Sequence, residues 1–353
     1  MDFPTDIIGV MSGTSLDGVD LAYVRFHNDE YQFELIKTVT VIFPTDVLLL
    51  LENSRILSND LLIELHNKWS VFVGEEINKH FISQGLNPDC IASHGHTVFH
   101  EPKKGFTLQI GSLSVLSKTT DCSVIGDFRM LDVSKGGEGA PLVPIGDQFL
   151  FPNHEVCLNL GGIANVSVKN NNIISAFDVC PCNLLLNSLA SEKGLLFDMG
   201  GKMGKSGSFN QELFNKLNEV NHYKLSTKPS LGIEIIEKEF FPILNEIKER
   251  ELSTEDKIHT VCKHIAFQLQ QNTPKGKTIL VSGGGAYNSF LIDCFKQEGL
   301  KIEIPSSDIV EFKEALIFAF LGLRKLENKI NVLKSVTGAS SDSVAGVVFQ
   351  NEI

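Results

Sequence analysis

The chain has 353 residues, 42% of them hydrophobic and 21% charged, with a formal net charge of −12 and a pI of about 5.3. That length is a prior for two domains, and the composition supplies a sizeable core. The acidic balance argues against nucleic acid and anionic membrane surfaces as partners, because a negative field attracts neither. An anionic ligand then has to be held by local amides, basic groups and a metal ion. Seven cysteines without a regular spacing read as reduced thiols of a cytoplasmic protein. No basic patch followed by an apolar stretch opens the sequence, so no signal peptide is expected. The longest apolar run, residues 315–323, falls far short of the roughly 20 residues that span a bilayer.

In chain order, residues 6–26 read as a strand hairpin around a turn of Gly, Ser, Thr and Asp. Gly13 and Gly18 let the backbone bend there, and the turn's amides and hydroxyls can face an anion. Residues 44–85 carry helical periodicity. Short apolar runs at 90–93, 97–99, 106–110 and 123–125 read as strands, which makes the first half α/β. Residues 134–146 read as a loop, and the domain crossover is placed near them, giving domains 1–130 (with the tail 336–353) and 131–335.

The second half opens as the first does. A strand at 156–160 leads into the turn Gly161, Gly162, Ile163, Ala164, Asn165, and a strand returns at 166–168. Two such units one domain length apart imply a duplicated architecture, the halves facing each other across a cleft with a phosphate loop each. Residues 210–270 are mostly helical. A buried strand at 278–281 runs into Gly283, Gly284 and Gly285 and a helix at 287–297, a seat for a nucleotide at a helix N-terminus. A last helix, 311–329, is apolar around much of its circumference and is expected to be well buried.

Several motifs carry two readings. The Gly-Lys-Ser at 204–206 invites a phosphate-loop assignment, but the first glycine that pattern requires would fall on Met199, so the segment is read as a loop only. His94 and His96 would share one face of a strand, as cleft-lining residues or as satisfied strand-end histidines; no supporting ligand spacing makes them a zinc site. Cys180-Pro181-Cys182 reads as a tight turn with small thiols. Asp127 and Arg129 at a strand end read either as a cleft pair or as a surface ion pair. Asp178, between an apolar run and a helix, reads equally as an N-cap or as a general base.

Taken together these residues resemble the anhydro-N-acetylmuramic acid kinase family, nearly end to end. The markers are Met-Ser-Gly-Thr-Ser-Leu-Asp-Gly-Val-Asp at 11–20, Ser-His-Gly-His-Thr at 93–97, Gly-Asp-Phe-Arg at 126–129 and Gly-Gly-Glu-Gly-Ala-Pro-Leu-Val-Pro at 136–144. Further markers are Leu-Asn-Leu-Gly-Gly-Ile-Ala-Asn-Val-Ser at 158–167, Phe-Asp at 177–178, Gly-Gly-Gly-Ala-Tyr-Asn at 283–288, Glu-Ala-Leu-Ile-Phe-Ala at 314–319 and Ser-Val-Thr-Gly-Ala at 335–339. The resemblance implies an α/β, two-domain actin-like ATPase fold of the sugar kinase, Hsp70 and actin class, with central mixed sheets and an interdomain cleft. It implies ATP and Mg²⁺ as cofactors, a small amino sugar as substrate and a homodimer.

By the same resemblance the enzyme opens the 1,6-anhydro ring of anhydro-N-acetylmuramic acid with water and phosphorylates O6, in cell-wall recycling. Gly13, Thr14, Ser15, Leu16, Asp17, Gly18, Val19 and Asp20 would bind ATP, with Gly161, Gly162, Asn165, Gly283, Gly284, Gly285 and Asn288. Asp178 would be catalytic, and His94, His96, Asp127, Arg129 and Glu314 would face the sugar. No metal ligand is assigned. The chain departs from the family pattern at Cys180 and Cys182, where glycines are usual, at His96, usually Gln, and at Pro229 and Ile233, where the family has basic residues. These departures leave open a different amino or anhydro sugar, or a weakened homologue.

Overall fold

In a computed structural model of the chain, residues 4–27, 30–170, 173–225, 230–248 and 252–350 are described. Their strands are β1 (Thr5–Ser12), β2 (Val19–Phe26), β3 (Phe33–Val41), β4 (Cys90–Glu101), β5 (Phe106–Ile110), β6 (Val124–Gly126), β7 (Val156–Leu160), β8 (Ile163–Asn170), β9 (Ile173–Pro181), β10 (Thr278–Ser282), β11 (Lys301–Glu303) and β12 (Val347–Phe349). The chain divides into two compact units, Met1–Phe151 with Phe312–Ile353, and Pro152–Glu311.

The first unit's sheet runs β12-β6-β4-β1-β2-β3, with β5 on β4. The second unit's sheet runs β11-β10-β7-β8-β9. In the first, β1–β2 and β2–β3 are antiparallel while β1–β4 and β4–β6 are parallel. In the second, β7–β8 and β8–β9 are antiparallel while β7–β10 and β10–β11 are parallel. Each unit therefore repeats one mixed-sheet plan: a three-strand meander followed by parallel strands on its other side. This is the duplicated α/β architecture read from the paired glycine hairpins, and it is the plan of the actin-like fold class.

β1 and β2 are buried along nearly their whole length, as expected of central strands covered on both faces. On one face, Ile8, Val10 and Tyr23 pack with Leu65, Trp69, Val73 and Ile77. Those four project from the helix Asn59–His80, where Ser58 accepts from Leu61 N, Asp60 lies in the first turn and Lys79 and His80 lie in the last. The other face carries the helix Ser307–Leu326, whose residues 315–323 are all buried. The all-round apolar pattern of that segment is explained by this burial. In the second unit, the helix Thr254–Asn272 presents Ile258, Val261, Cys262, Ile265 and Leu269 to a core shared with β7, β8 and β10.

Four expectations change. Residues 134–146 are not one loop: a helix, Val143–Leu150, begins inside them with a proline in its first turn, where a missing N–H costs nothing. Its Asp147 pairs with Lys313 of the helix Ser307–Leu326 at 2.6 Å, both side chains almost wholly buried. That pair ties 143–150 and the residues after 311 to the first unit, so the unit boundaries fall at 151/152 and 311/312 rather than near 131 and 335. The runs at 90–93 and 97–99 are one strand, β4, bent at Gly95. The helix expected at 287–297 begins at Ser289, behind a 3₁₀ turn at Gly284–Tyr287.

Candidate functional site

In the first unit the β1–β2 turn exposes Thr14, Ser15 and Asp17, half-exposes Gly13, Leu16 and Asp20, and buries Gly18 and Val19. Leu16 N donates to Gly13 O at 3.4 Å, and Leu16 sits at φ +60°, an uncommon conformation for a branched side chain. Ser15 Oγ donates to Asp17 Oδ1 at 2.7 Å, and Thr40 Oγ1 donates to Asp20 Oδ1 at 2.6 Å. The two glycines differ. Gly18 has φ +142°, and a Cβ there would stand 2.6 Å from Val41 O. Gly13 lies outside the left-handed region, and its Cβ would meet nothing closer than Ser15 Oγ at 3.3 Å. Only Gly18 is demanded by the turn's geometry. Val19 is a core residue, so its side chain cannot be a ligand group.

His94 and His96 do not share a face. Gly95 between them adopts φ +73° and inserts an extra residue into β4, which reverses the side-chain alternation. His94 packs on Phe318 of the helix Ser307–Leu326, while His96 lies edge-on to Phe43 on the opposite side. His94 Nδ1 donates to Gly95 O at 2.9 Å, and its Nε2 accepts from Arg129 Nε and Nη2 at 3.1 and 2.8 Å. These partners fix a neutral imidazole, and burial, with the Arg129 charge, holds its pKa well below the ordinary value. Arg129 Nη1 also donates to Gly139 O at 2.6 Å. His96 Nδ1 pairs with Ser12 Oγ at 2.9 Å, and burial lowers its pKa to about 4.

Asp127 is not joined to Arg129. It is exposed at φ +55°, and its Oδ1 accepts from Met130 N at 3.2 Å, opening the short helix that follows. Glu314 is half-buried; burial pushes its carboxyl pKa up, Asp20 and Asp147 add to this, and Lys313 and Arg129 oppose it. The fold thus gathers Asp20, Arg129 and Glu314 into one electrostatic neighbourhood, with His94 bonded to Arg129.

Beside it opens a cavity of about 390 Å³, lined in part by His94, Asp127, Gln109, Ser112 and His66. His66 was not legible as a site residue, because it sits within the helical stripe of Leu62, Leu65 and Trp69. Gly111 N donates to its Nδ1 at 3.0 Å, which leaves the imidazole proton on Nε2. Among the described residues no group of three or more His, Cys, Asp or Glu is arranged to hold a metal ion. No helix among them is long and apolar enough to cross a membrane.

In the second unit, the carbonyls of Gly161 and Gly162 accept from Asn183 N, Cys182 N and Leu184 N at 3.2, 2.9 and 3.1 Å. The β7–β8 turn is thereby fixed to the start of the helix Asn183–Ser191. Gly283, at φ +81°, donates from its N to Val310 O at 2.9 Å, Gly284 is exposed and Gly285 is buried. Asn288 caps the next helix through Leu291 N, so its side-chain oxygen already has a structural partner. In the Gly-Lys-Ser segment the amides of Met203 and Gly204 are taken by the Asp198 carboxylate at 2.8 and 2.9 Å, which leaves no phosphate loop there.

Asp178 lies in β9 opposite Asn165, at a register shift where Ala164 pairs with Cys180 and Val179 is the extra residue. It is not an N-cap; the helix that follows is preceded by Cys182, which makes no capping bond. Asp178 Oδ2 accepts from Ser230 Oγ and from Leu231 N, both at 2.8 Å. Cys180 and Cys182 are fully buried in the unit's core and neither has a positive φ, so a thiol fits where the family has glycine. None of the seven cysteines forms a disulfide. Ile233, 39% exposed, starts the helix Ile233–Glu239, and Pro229 lies outside the described residues.

Comparison with known proteins agrees with the residues. The family model described as anhydro-N-acetylmuramic acid kinase matches residues 5–351. An anhydro-N-acetylmuramic acid kinase of Vibrio cholerae is 32% identical, over 97% of this chain and 97% of that protein. One of Sulfurimonas denitrificans is 30% identical, over 97% and 99%. Among solved structures, component A of (R)-2-hydroxyglutaryl-CoA dehydratase from Acidaminococcus fermentans is similar at a TM-score of 0.46 and 12% identity, over 89% of this chain and 96% of that one. With the family match running through both units and both glycine hairpins, this chain belongs to the anhydro-N-acetylmuramic acid kinase family.

Proposed function

We propose that this chain is an ATP-dependent kinase that opens 1,6-anhydro-N-acetylmuramic acid and phosphorylates O6, with Asp178 as its general base. The carrying observation is the Asp178 carboxylate, re-aimed by a bulge in β9 and held, among the described residues, through one oxygen. Its other oxygen takes a proton from water as that water attacks the anomeric carbon. The C1–O6 bond breaks, O6 attacks the γ-phosphorus, and ADP leaves. A glycosidase needs a second carboxyl group to protonate the departing oxygen; here the phosphoryl group receives that oxygen's electrons instead. The proton on Asp178 is then released to water.

The amides and hydroxyls of the 13–18 turn are the phosphate-holding groups of the first unit, and the Gly161–Gly162 and Gly283–Gly285 turns are those of the second. Arg129, oriented by His94, and Asp127 face the sugar. Asp20 and Glu314, carboxylates whose charges act on each other, would hold Mg²⁺. When bound, that ion neutralises the phosphates. Seven cysteines outside any disulfide suit the cytoplasm, where the cell-wall fragment would be recycled.

The test is incubation of the protein with MgATP and anhydro-N-acetylmuramic acid, with the 6-phosphorylated product and ADP followed together. Asp178→Asn should lower kcat by roughly 10²- to 10⁴-fold, the usual share of a general base, while ATP and sugar still bind. Absence of product from folded wild-type protein refutes the substrate, and an active Asp178→Asn refutes the base.

A further inference from the structure

We infer that Ser230 and the Leu231 amide are positioning residues that leave Asp178 Oδ1 as the atom that takes the proton, an inference that rests on the reading of Asp178 as general base. A carboxylate offers two oxygens, each able to accept about two hydrogen bonds. Both recorded bonds fall on Oδ2, from Ser230 Oγ and Leu231 N, 2.8 Å each. Oδ1 takes none among the described residues. Bonds to an ionised acceptor are about twice as strong as neutral ones, so two on one oxygen fix the plane of the group and the direction of the other oxygen.

The clamp is itself held. Leu231 is 1% exposed and belongs to the second unit's core, so its amide cannot swing away without exposing the side chain. Two residues on, the helix Ile233–Glu239 buries Ile236 in the same core. Upstream, the 3₁₀ turn Asn221–Lys224 is pinned through Tyr223, whose hydroxyl meets His264 Nε2 at 3.0 Å. His264 Nδ1 in turn meets Asn218 Oδ1 at 3.0 Å, and Gln268 Nε2 donates to that same oxygen at 2.7 Å. The network ties the upstream turn to the helix Thr254–Asn272. β9 contributes the other half: Val179 is buried and the register shift beside it turns Asp178 toward the clamp. A base fixed in this way meets its water without first losing rotational freedom.

The experiment compares four full-length proteins: wild type, Ser230→Ala, Asp178→Asn and the double variant, with Ser230→Thr as the conservative replacement. Ser230 is exposed, so loss of its hydroxyl does not threaten the core. Ser230→Ala is expected to lower kcat by roughly 10- to 100-fold, the size of one hydrogen bond to a charged group, with KM for ATP and for sugar within twofold of wild type. Ser230→Thr should restore most of the loss. In the Asp178→Asn background the same substitution should cost nothing further, because the clamp has no base left to position. Wild-type kcat in Ser230→Ala, with Asp178→Asn inactive, overturns the clamp and leaves the base standing. A further loss in the double variant overturns it too, since Ser230 would then act independently. An active Asp178→Asn removes the base reading itself.

Discussion

Gly13 and Gly18 flank one turn, and the structure assigns them opposite sensitivities. Alanine at Gly18 would sit at φ +142°, a region that costs a residue with a Cβ about 1–3 kcal/mol. Its methyl would also stand 2.6 Å from Val41 O and 3.1 Å from Thr40 Cγ2. The first of these is backbone in the neighbouring strand and cannot rotate away. Strain and contact together give about 2–4 kcal/mol of destabilisation. Alanine at Gly13 meets only Ser15 Oγ, at 3.3 Å, and a hydroxyl can turn aside; its cost should stay below about 1 kcal/mol.

Trp69 makes the assay selective. It is the chain's one tryptophan and is wholly buried in the first unit's core, so its fluorescence follows that unit alone. With a urea slope of about 2 kcal/mol/M, Gly18→Ala should lower the unfolding midpoint by about 1–2 M and Gly13→Ala by less than about 0.5 M. Gly18→Ala should also raise KM for ATP, because the displaced turn carries the proposed phosphate contacts. Equal midpoint shifts for the two variants, or none for Gly18→Ala, would refute the reasoning.

His96 predicts an acid-sensitive fold. Its pKa, about 4 when folded against about 6.5 unfolded, means that below pH 6.5 the unfolded chain binds a proton the folded one refuses. The associated stability is complete above pH 6.5 and is lost as pH falls toward 4, by about 2 kcal/mol at pH 5. His96→Gln should remove that share, measured as the difference between urea unfolding at pH 7 and pH 5; an unchanged difference argues against it. Thiol accessibility gives another test. Only Cys122 is partly exposed, so a disulfide-exchange reagent should modify one thiol quickly and the other six on denaturation. Rapid reaction of Cys180 or Cys182 in the native protein would contradict their burial.

The sequence by itself determined the repeated plan. Strand, glycine turn, strand is a local pattern of apolar alternation and backbone permission, and it appears twice because each unit builds the same meander. The buried helix, expected at 311–329 and found at Ser307–Leu326, was likewise legible, since its apolar residues run around much of the circumference. Tertiary structure decided the rest. Whether Gly13 or Gly18 is indispensable depends on how near another strand passes. His94 and His96 part company because Gly95 takes a left-handed φ, and glycine populates both signs with equal ease. Asp178 meets Ser230, 52 positions further along the chain, and Asp147 meets Lys313 across the first unit. Periodicity reports the face a residue presents over a few turns of chain; the partner waiting on that face, and the oxygen it engages, are settled only when distant segments pack together.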